Sequence, residues 1–460
     1  MLLSFRVSNF LSIKEEQEFS FLRSSSLSQA EIARYKPWDD PSVGTLAGIF
    51  GANASGKSNV LKAIRFMRRA IRQSYRDWAS GESIPVTPFA LSAKCKDQPS
   101  LFEAVFVSHG IRYQYGFRIT RKQVVGEWLY AYTTHRRQVW FERDISSEEV
   151  WYFGKSFTGR NKVIADLTRP SSLFLSSAAA NNHRMASMVE HYFRSHLTSA
   201  SPEDRIARTR FTQELSSKDD QWRDVVELMQ FADLGIRDIR VRQEAIDVKE
   251  RERLANVLRA LDVDAKDKSI DEVLDRVEDK VEFGHSAGRG RKPVYLSLNE
   301  ESLGTQVWFA LVGPIIRTLR DGDTLTIDEI DASLHPHLTS EILKTFRDPK
   351  KNPKQAQLLF TSHDTTLLGG WLGEKELTRD QVWFTEKKPD GATVLYPLTD
   401  FSPRKTENLE RGYLQGRYGA IPYLDKSLIG EIAEQVSKAA DGENESELED
   451  VMDFEEASLP

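Results

Sequence analysis

The chain has 460 residues, of which 40% are hydrophobic and 29% charged, a globular balance long enough for two or three modules. Its net charge of −6 excludes a global basic field, so any nucleic-acid surface must be local. One cysteine, Cys95, excludes a disulfide framework and a cysteine-based zinc site; no apolar run approaches the roughly 18 residues of a membrane span, and the start is too polar after Val7 for a signal peptide, so a cytoplasmic protein is expected.

The first elements are strands, "LLSFRVSNFLSI" and "TLAGIF" (45–50), the second ending at a glycine. Residues 51–58, "GANASGKS", then fit G-x-x-x-x-G-K-[ST] between a strand and a helix. Gly51 and Gly56 allow the loop through Ala52, Asn53, Ala54 and Ser55 to aim its N–H groups at phosphate oxygens. Lys57 reaches the β- and γ-phosphates, the Ser58 hydroxyl suits Mg²⁺, and Asn59 lies in the first turn of the helix, whose N-terminus favours an anion. The helix over 59–78 sets Val60, Ile64, Met67, Ile71 and Trp78 on one face. Lys62, Arg65, Arg69, Arg72 and Arg76 form a basic stripe, which fits nucleic-acid phosphates, an acidic partner or simple solvation.

Residues 101–120 alternate and turn at His109-Gly110 as a hairpin, so 1–180 reads as a strand-rich α/β lobe. Residues 181–285 are amphipathic and read as a helical insertion. It serves either to dock a partner or to cap the lobe, and it is too short for a long coiled coil. Residues 286–400 alternate helix and strand. Within them Ser302, Leu303, Gly304 and Thr305 open a helix and offer a second anion-binding N-terminus. "TLTID" (324–328) is a strand that delivers Asp328 to Mg²⁺, and Glu329 next to it polarises an attacking water. "AQLLFTSHD" (356–364) is a buried strand ending at His363, whose neutral imidazole can sense a γ-phosphate. Residues 401–440 carry dense aromatics, Tyr413, Tyr418 and Tyr423, and read as an ordered docking segment. Residues 441–460 hold nine acids and no Lys or Arg, a tail expected to be disordered.

In this order the motifs resemble the ABC-type ATPase heads of the SMC, RecF and OLD group. The resemblance implies an α/β head with a phosphate-loop core, mixed sheets and an inserted helical domain. It makes residues 51–58 Walker A, Ser302, Gly304, Thr305 and Gln306 the signature, Asp328 and Glu329 Walker B, Asp331 the start of the D-loop, and His363 the switch. The signature has one glycine where LSGGQ has two. The opening "SFRVSNFLSIKEEQEFSF", the phosphate loop and "ENLERGYLQGRYGAIPYL" (407–424) are similar to RloA-type ATPases of anti-phage loci, and the general plan is similar to the ATPase of the PARIS system. That likeness implies ATP and Mg²⁺ as cofactors and a homo-oligomer with two subunits sandwiching ATP. Asp331, Ser333 and His335 would then lie across the seam. It also implies a separately encoded effector, typically a TOPRIM-type nuclease, and a DNA or phage-protein trigger. A RecF-like DNA-repair ATPase is the alternative. A self-contained nuclease is disfavoured, because little chain and no E…DxD cluster follow residue 400.

Overall fold

The computed structural model describes residues 1–22, 43–78, 83–133, 136–232, 235–243, 279–286, 292–370, 376–404, 407–422, 429–430 and 432–434. Alternating side chains build the first sheet from β1 (Leu2–Ser8), β2 (Gln17–Ser20), β4 (Ser100–Ser108), β5 (Ile111–Ile119), β6 (Val124–Tyr132), β7 (Gln138–Asp144) and β8 (Trp151–Phe153). Its order is β2-β1-β4-β5-β6-β7-β8, and every pair is antiparallel. The hairpin expected at His109-Gly110 joins β4 to β5, and both turn residues have positive φ, 50° and 75°, as a two-residue turn matched to strand twist requires. Phe102, Ala104, Phe106, Tyr115 and Phe117 share one core with Val60, Ile64, Met67 and Ile71 of the helix Lys57–Asp77. Glu127 of β6 is fully buried. It accepts from the Phe174 and Leu175 amides (2.6 and 2.9 Å) and from the Tyr115 hydroxyl (2.9 Å), which ties the start of helix Phe174–Ala180 to the sheet.

The second sheet holds β3 (Leu46–Gly51), β9 (Leu197–Ala200), β13 (Thr324–Ile327), β14 (Gln357–Thr361), β15 (Val382–Lys387) and β16 (Thr393–Pro397), in the order β16-β15-β3-β14-β13-β9. All of its pairs are parallel except β16 with β15. Parallel strands are covered on both faces and read as short, fully apolar runs. Ala47, Ile49 and Leu359 join the first core, whereas Leu46, Phe50, Leu358 and Phe360 join a second one built with helices Leu303–Asp321 and Pro336–Arg347. One face therefore carries the helix after the phosphate loop, and the other carries the helices on either side of Asp328. The expected mixed α/β head is what the chain forms.

The all-helical reading of 181–285 needs correction. Helices Arg184–Ser195, Arg205–Glu214 and Asp219–Phe231 form, but β9 lies between them and pairs with β13 inside the central sheet. Four residues of mixed polarity, Leu197–Ala200, carry no strand signal strong enough to outweigh the helical patterns around them; the open edge of β13 decides. A smaller antiparallel sheet follows, β10 (Ile236–Gln243), β11 (Asp279–His285) and β12 (Val294–Ser297). The end of the segment expected to be helical is thus strand from Asp279; residues 244–278 lie outside the described residues.

In 401–440 the described tyrosines Tyr413 and Tyr418 pack on the chain's own sheet. Tyr413 stacks on Phe384 of β15 (5.3 Å between centroids, 4° between planes) and Tyr418 lies 5.9 Å from the same ring. The Tyr413 hydroxyl donates to Ala420 O (2.9 Å). Contacts divide the chain after Ala420. Beyond it, residues 429–430 and 432–434 are helical, with Ile429 and Ile432 exposed; Tyr423 and the tail 441–460 lie outside the described residues.

Candidate nucleotide site

The phosphate loop leaves β3 at Gly51 (φ 152°) and enters its helix through Gly56 (φ 108°). Both positions exclude a side chain. A Cβ on Gly51 would stand 2.4 Å from Thr385 O, and one on Gly56 would stand 2.2 Å from Thr393 Oγ1. Gly56 brings no capping side chain to Lys57–Asp77, so the first-turn N–H groups face an anion site rather than a cap.

Lys57 is buried. Its Nζ donates to Gly51 O (2.8 Å) and Ala52 O (3.1 Å) and sits 3.3 Å from His363 Nδ1. Burial pushes its pKa down to about 8, against the pull of Glu329, Asp331 and Asp328. The Ser58 hydroxyl donates to Asp328 Oδ1 at 2.9 Å. Thr361 completes the joint: its hydroxyl donates to the same oxygen (2.7 Å) and accepts from the Glu329 amide (2.8 Å). Parallel pairing of Ile327 with Phe360 is what brings Asp328 and Thr361 to the same rung.

Glu329 turns away from the strand with φ 56°, a left-handed conformation that only an over-determined site keeps on a glutamate. Its Oε1 lies 3.9 Å from His363 Nε2. Asn53, Ala54, Gly56, Lys57, Ser58, Asn59, Glu329 and His363 surround one cavity of about 660 Å³. Ser55 is different. It is buried, its hydroxyl bonds Thr385 Oγ1 (2.7 Å), and its carbonyl accepts from Thr393 Oγ1 (2.8 Å). Asn59 donates to Ser12 Oγ (2.6 Å), which is 2.7 Å from Thr393 Oγ1. Ser12, Thr385 and Thr393 thus brace the loop and its helix start from behind, and Thr361 seats Asp328. Sequence reasoning missed all four, since a single hydroxyl carries no spacing signal.

Ser302, Gly304 and Thr305 do not line this cavity. Ser302 N-caps the helix Leu303–Asp321, accepting from the Thr305 amide at 3.1 Å. A Cβ on Gly304 would lie 2.8 Å from Ser333 O, so the turn rests against the segment that follows Asp331 in the same chain. Asp331 Oδ2 accepts from the His363 amide (3.3 Å), and its Oδ1 is buried without a partner among the described residues. His335 caps Pro336–Arg347, accepting from the His337 amide.

The sequence profile of one family, described as "AAA domain, putative AbiEii toxin, Type IV TA system", matches residues 46–369, well over half of the chain. The chain belongs to this AAA family. The matched span holds every candidate residue of this AAA site from Gly51 to His363, while Ser12, Thr385 and Thr393 lie outside it. No curated protein matches by sequence. Similar solved structures include the SmcHead bound to the C-winged helix domain of ScpA (13% identity, 90% of this chain and 99% of that chain, TM-score 0.40). Others are the SMC head domain from Thermotoga maritima (13%, 86% and 98%, 0.35) and a Smc head domain from Pyrococcus furiosus bound to the C-terminal domain of ScpA (12%, 91% and 98%, 0.37). Among the described residues, no helix is long and apolar enough to cross a membrane.

Proposed function

We propose that this AAA protein binds and hydrolyses ATP at the cavity between residues 51–59 and Glu329, and that it works as an ATP-driven switch that closes two copies around the nucleotide. The observation that carries the reading is the Ser58–Asp328–Thr361 joint, a hydroxyl and a carboxylate of hard oxygens beside a phosphate loop. Mg²⁺ fits that pair, because it binds through one or two carboxylates plus phosphates and keeps several waters. Ser58 and Asp328 would hold it, and it would neutralise charge on the β- and γ-phosphates. Lys57 and the loop amides hold the phosphates, Glu329 orients and deprotonates the attacking water, and His363 contacts the γ-phosphate end from beside Lys57.

The signature turn supports the two-copy arrangement. Ser302 and Leu303 are exposed at the helix start and line no part of their own cavity, so this turn can face the cavity of a second copy, with Thr305 buried behind it. Asp331 would lie near the seam with a buried carboxylate oxygen still unpaired among the described residues. The resemblance to RloA-type ATPases and the toxin and toxin–antitoxin wording of the family's description support a role in anti-phage defence. In that role the switch governs a separately encoded effector, a TOPRIM-type nuclease, and answers a DNA or phage-protein trigger. Purified full-length chain should double its mass, or more, with Mg²⁺ and a non-hydrolysable ATP analogue, and should retain the effector only in one nucleotide state. A chain that stays monomeric at micromolar concentration with the analogue would remove the sandwich.

Lys57 gives this site a pH signature. With its pKa near 8 in the free protein, the side chain is charged below that pH and partly neutral above it. Bound phosphates favour the charged form and raise the pKa, so binding at about pH 8.5 must take up protons, and affinity should fall as pH climbs past 8. Calorimetry of ATP binding in buffers of different ionisation enthalpy reads this directly. Zero proton uptake at that pH would contradict a lowered pKa for Lys57.

A further inference from the structure

A second concentration of positive charge lies outside the phosphate loop. A cleft of about 500 Å³ opens between helices Lys57–Asp77, Arg205–Glu214 and Leu303–Asp321. Arg65, Arg68, Arg69, Arg72, Arg208 and Arg317 line it, and Asp204 is the single carboxylate among its lining residues. Three of the stripe residues expected from the sequence, Arg65, Arg69 and Arg72, are therefore joined by three arginines that the stripe did not include. Arg76 instead pairs with Asp77 (2.6 Å).

The charges in the cleft are only partly compensated; Arg317 Nε lies 3.7 Å from Asp321 at the rim. Arg208 is only 9% exposed; its Nη2 donates to Ser201 O (2.8 Å), while its Nε and Nη1 have no partner among the described residues. Arg65 Nε is likewise buried and unpaired among them, and its Nη1 stands 3.5 Å from both Glu203 and Asp204. Arg68 and Arg317 turn donors onto the carbonyls of Phe193 (2.9 Å) and Ser195 (3.3 Å). Burial, reinforced by Arg72 and Arg317, pushes Arg68 down to about 10, and burial does the same to Arg208. Guanidinium groups with unpaired buried donors are unfavourable for folding alone. Such groups match phosphate oxygens through paired N–H donors. Arg65 and Arg72 are also two turns apart, roughly 10 Å along the helix, which is longer than one phosphate.

We propose that this cleft binds the phosphate groups of a multiply charged ligand, carried either by a free polyphosphate or by a nucleic-acid strand. Its wall includes Thr198 and Ser199 of β9. The next residue of β9, Ala200, accepts the Asp328 amide through its carbonyl (2.9 Å). A ligand here would lean on the strand that holds the Walker B acid, without sharing a residue with the nucleotide cavity.

The test uses full-length chain carrying Lys57→Ala, so that the phosphate loop does not contribute. Binding of tripolyphosphate by calorimetry, and of labelled single-stranded and duplex DNA by anisotropy, is compared with the same chain bearing Arg69→Glu and Arg72→Glu, two exposed sites whose reversal is expected to leave the melting temperature unchanged, which is measured alongside. Arg317→Glu is the second variant. At least one probe should bind and lose more than 10-fold in affinity in both variants. Tripolyphosphate alone binding identifies a free polyphosphate as the ligand. DNA binding with a salt slope reduced per lost contact by about 0.9 on duplex or about 0.7 on single strands identifies a strand. The proposal is overturned if no probe binds or if reversal leaves binding unchanged. Because Lys57→Ala is present throughout, none of these results depends on ATP hydrolysis.

Discussion

Glu329→Gln should lower ATP turnover by about 100- to 10,000-fold while leaving ATP binding intact, the range associated with losing a positioned general base. Glutamine keeps the size and hydrogen-bonding reach of glutamate but cannot accept the proton of the attacking water. The backbone there is left-handed, with φ 56°, and glutamine bears that strain as glutamate does, so the local fold should survive. The Glu329 amide also stays bonded to Thr361, which keeps Asp328 seated beside Ser58. The lesion is therefore confined to the proton transfer. With hydrolysis blocked, ATP remains in place and the paired state accumulates, so the mass distribution in ATP should shift toward dimer or larger species. Turnover at the parental rate would show that Glu329 is not the base, and a monomeric distribution at saturating ATP would separate hydrolysis from pairing.

Ser302→Arg is expected to abolish turnover by a different route. In its own chain Ser302 is a helix cap, and losing that cap costs about 1 kcal/mol, too little to unfold the lobe. Across a closed seam, the added guanidinium would occupy the space of the partner's nucleotide. The decisive measurement mixes this variant with Lys57→Ala. Each is inactive alone. A mixed pair joins the sound phosphate loop of one chain to the sound signature turn of the other and leaves one complete site. With equal amounts and independent sites, about a quarter of the parental turnover should return, because two-fold pairing makes half of the dimers mixed. If cross-linking shows mixed dimers and turnover stays at zero, the composite site is wrong.

The parts of the site that are local in the chain were legible from it. Gly51 and Gly56 are demanded by left-handed backbone and by crowding against Thr385 and Thr393. The pattern G-x-x-x-x-G-K-[ST] between a strand and a helix announces both glycines before any coordinates. Asp328 and Glu329 announce themselves in the same way, at the end of a β-branched strand. These features depend on a few consecutive residues, so period and turn chemistry suffice to read them.

Strand order was decided elsewhere. β9 pairs with β13 across more than a hundred residues, and its own composition is neutral between strand and turn; the sheet edge it completes settles the matter. The same holds for Thr361, Thr385, Thr393 and Ser12, each an ordinary hydroxyl until the sheet places it behind the loop or beneath Asp328. It holds most of all for the arginine cleft. Arg65, Arg69 and Arg72 were visible as a helical stripe that solvent could explain. Only tertiary packing sets Arg208 and Arg317 opposite them and buries Arg208 with two donors unpaired among the described residues. By itself the sequence determined the phosphate loop and its acids, because their geometry is encoded within a single turn or strand. The tertiary structure decided what braces them and what charge gathers beside them, because those contacts join residues that no local period connects.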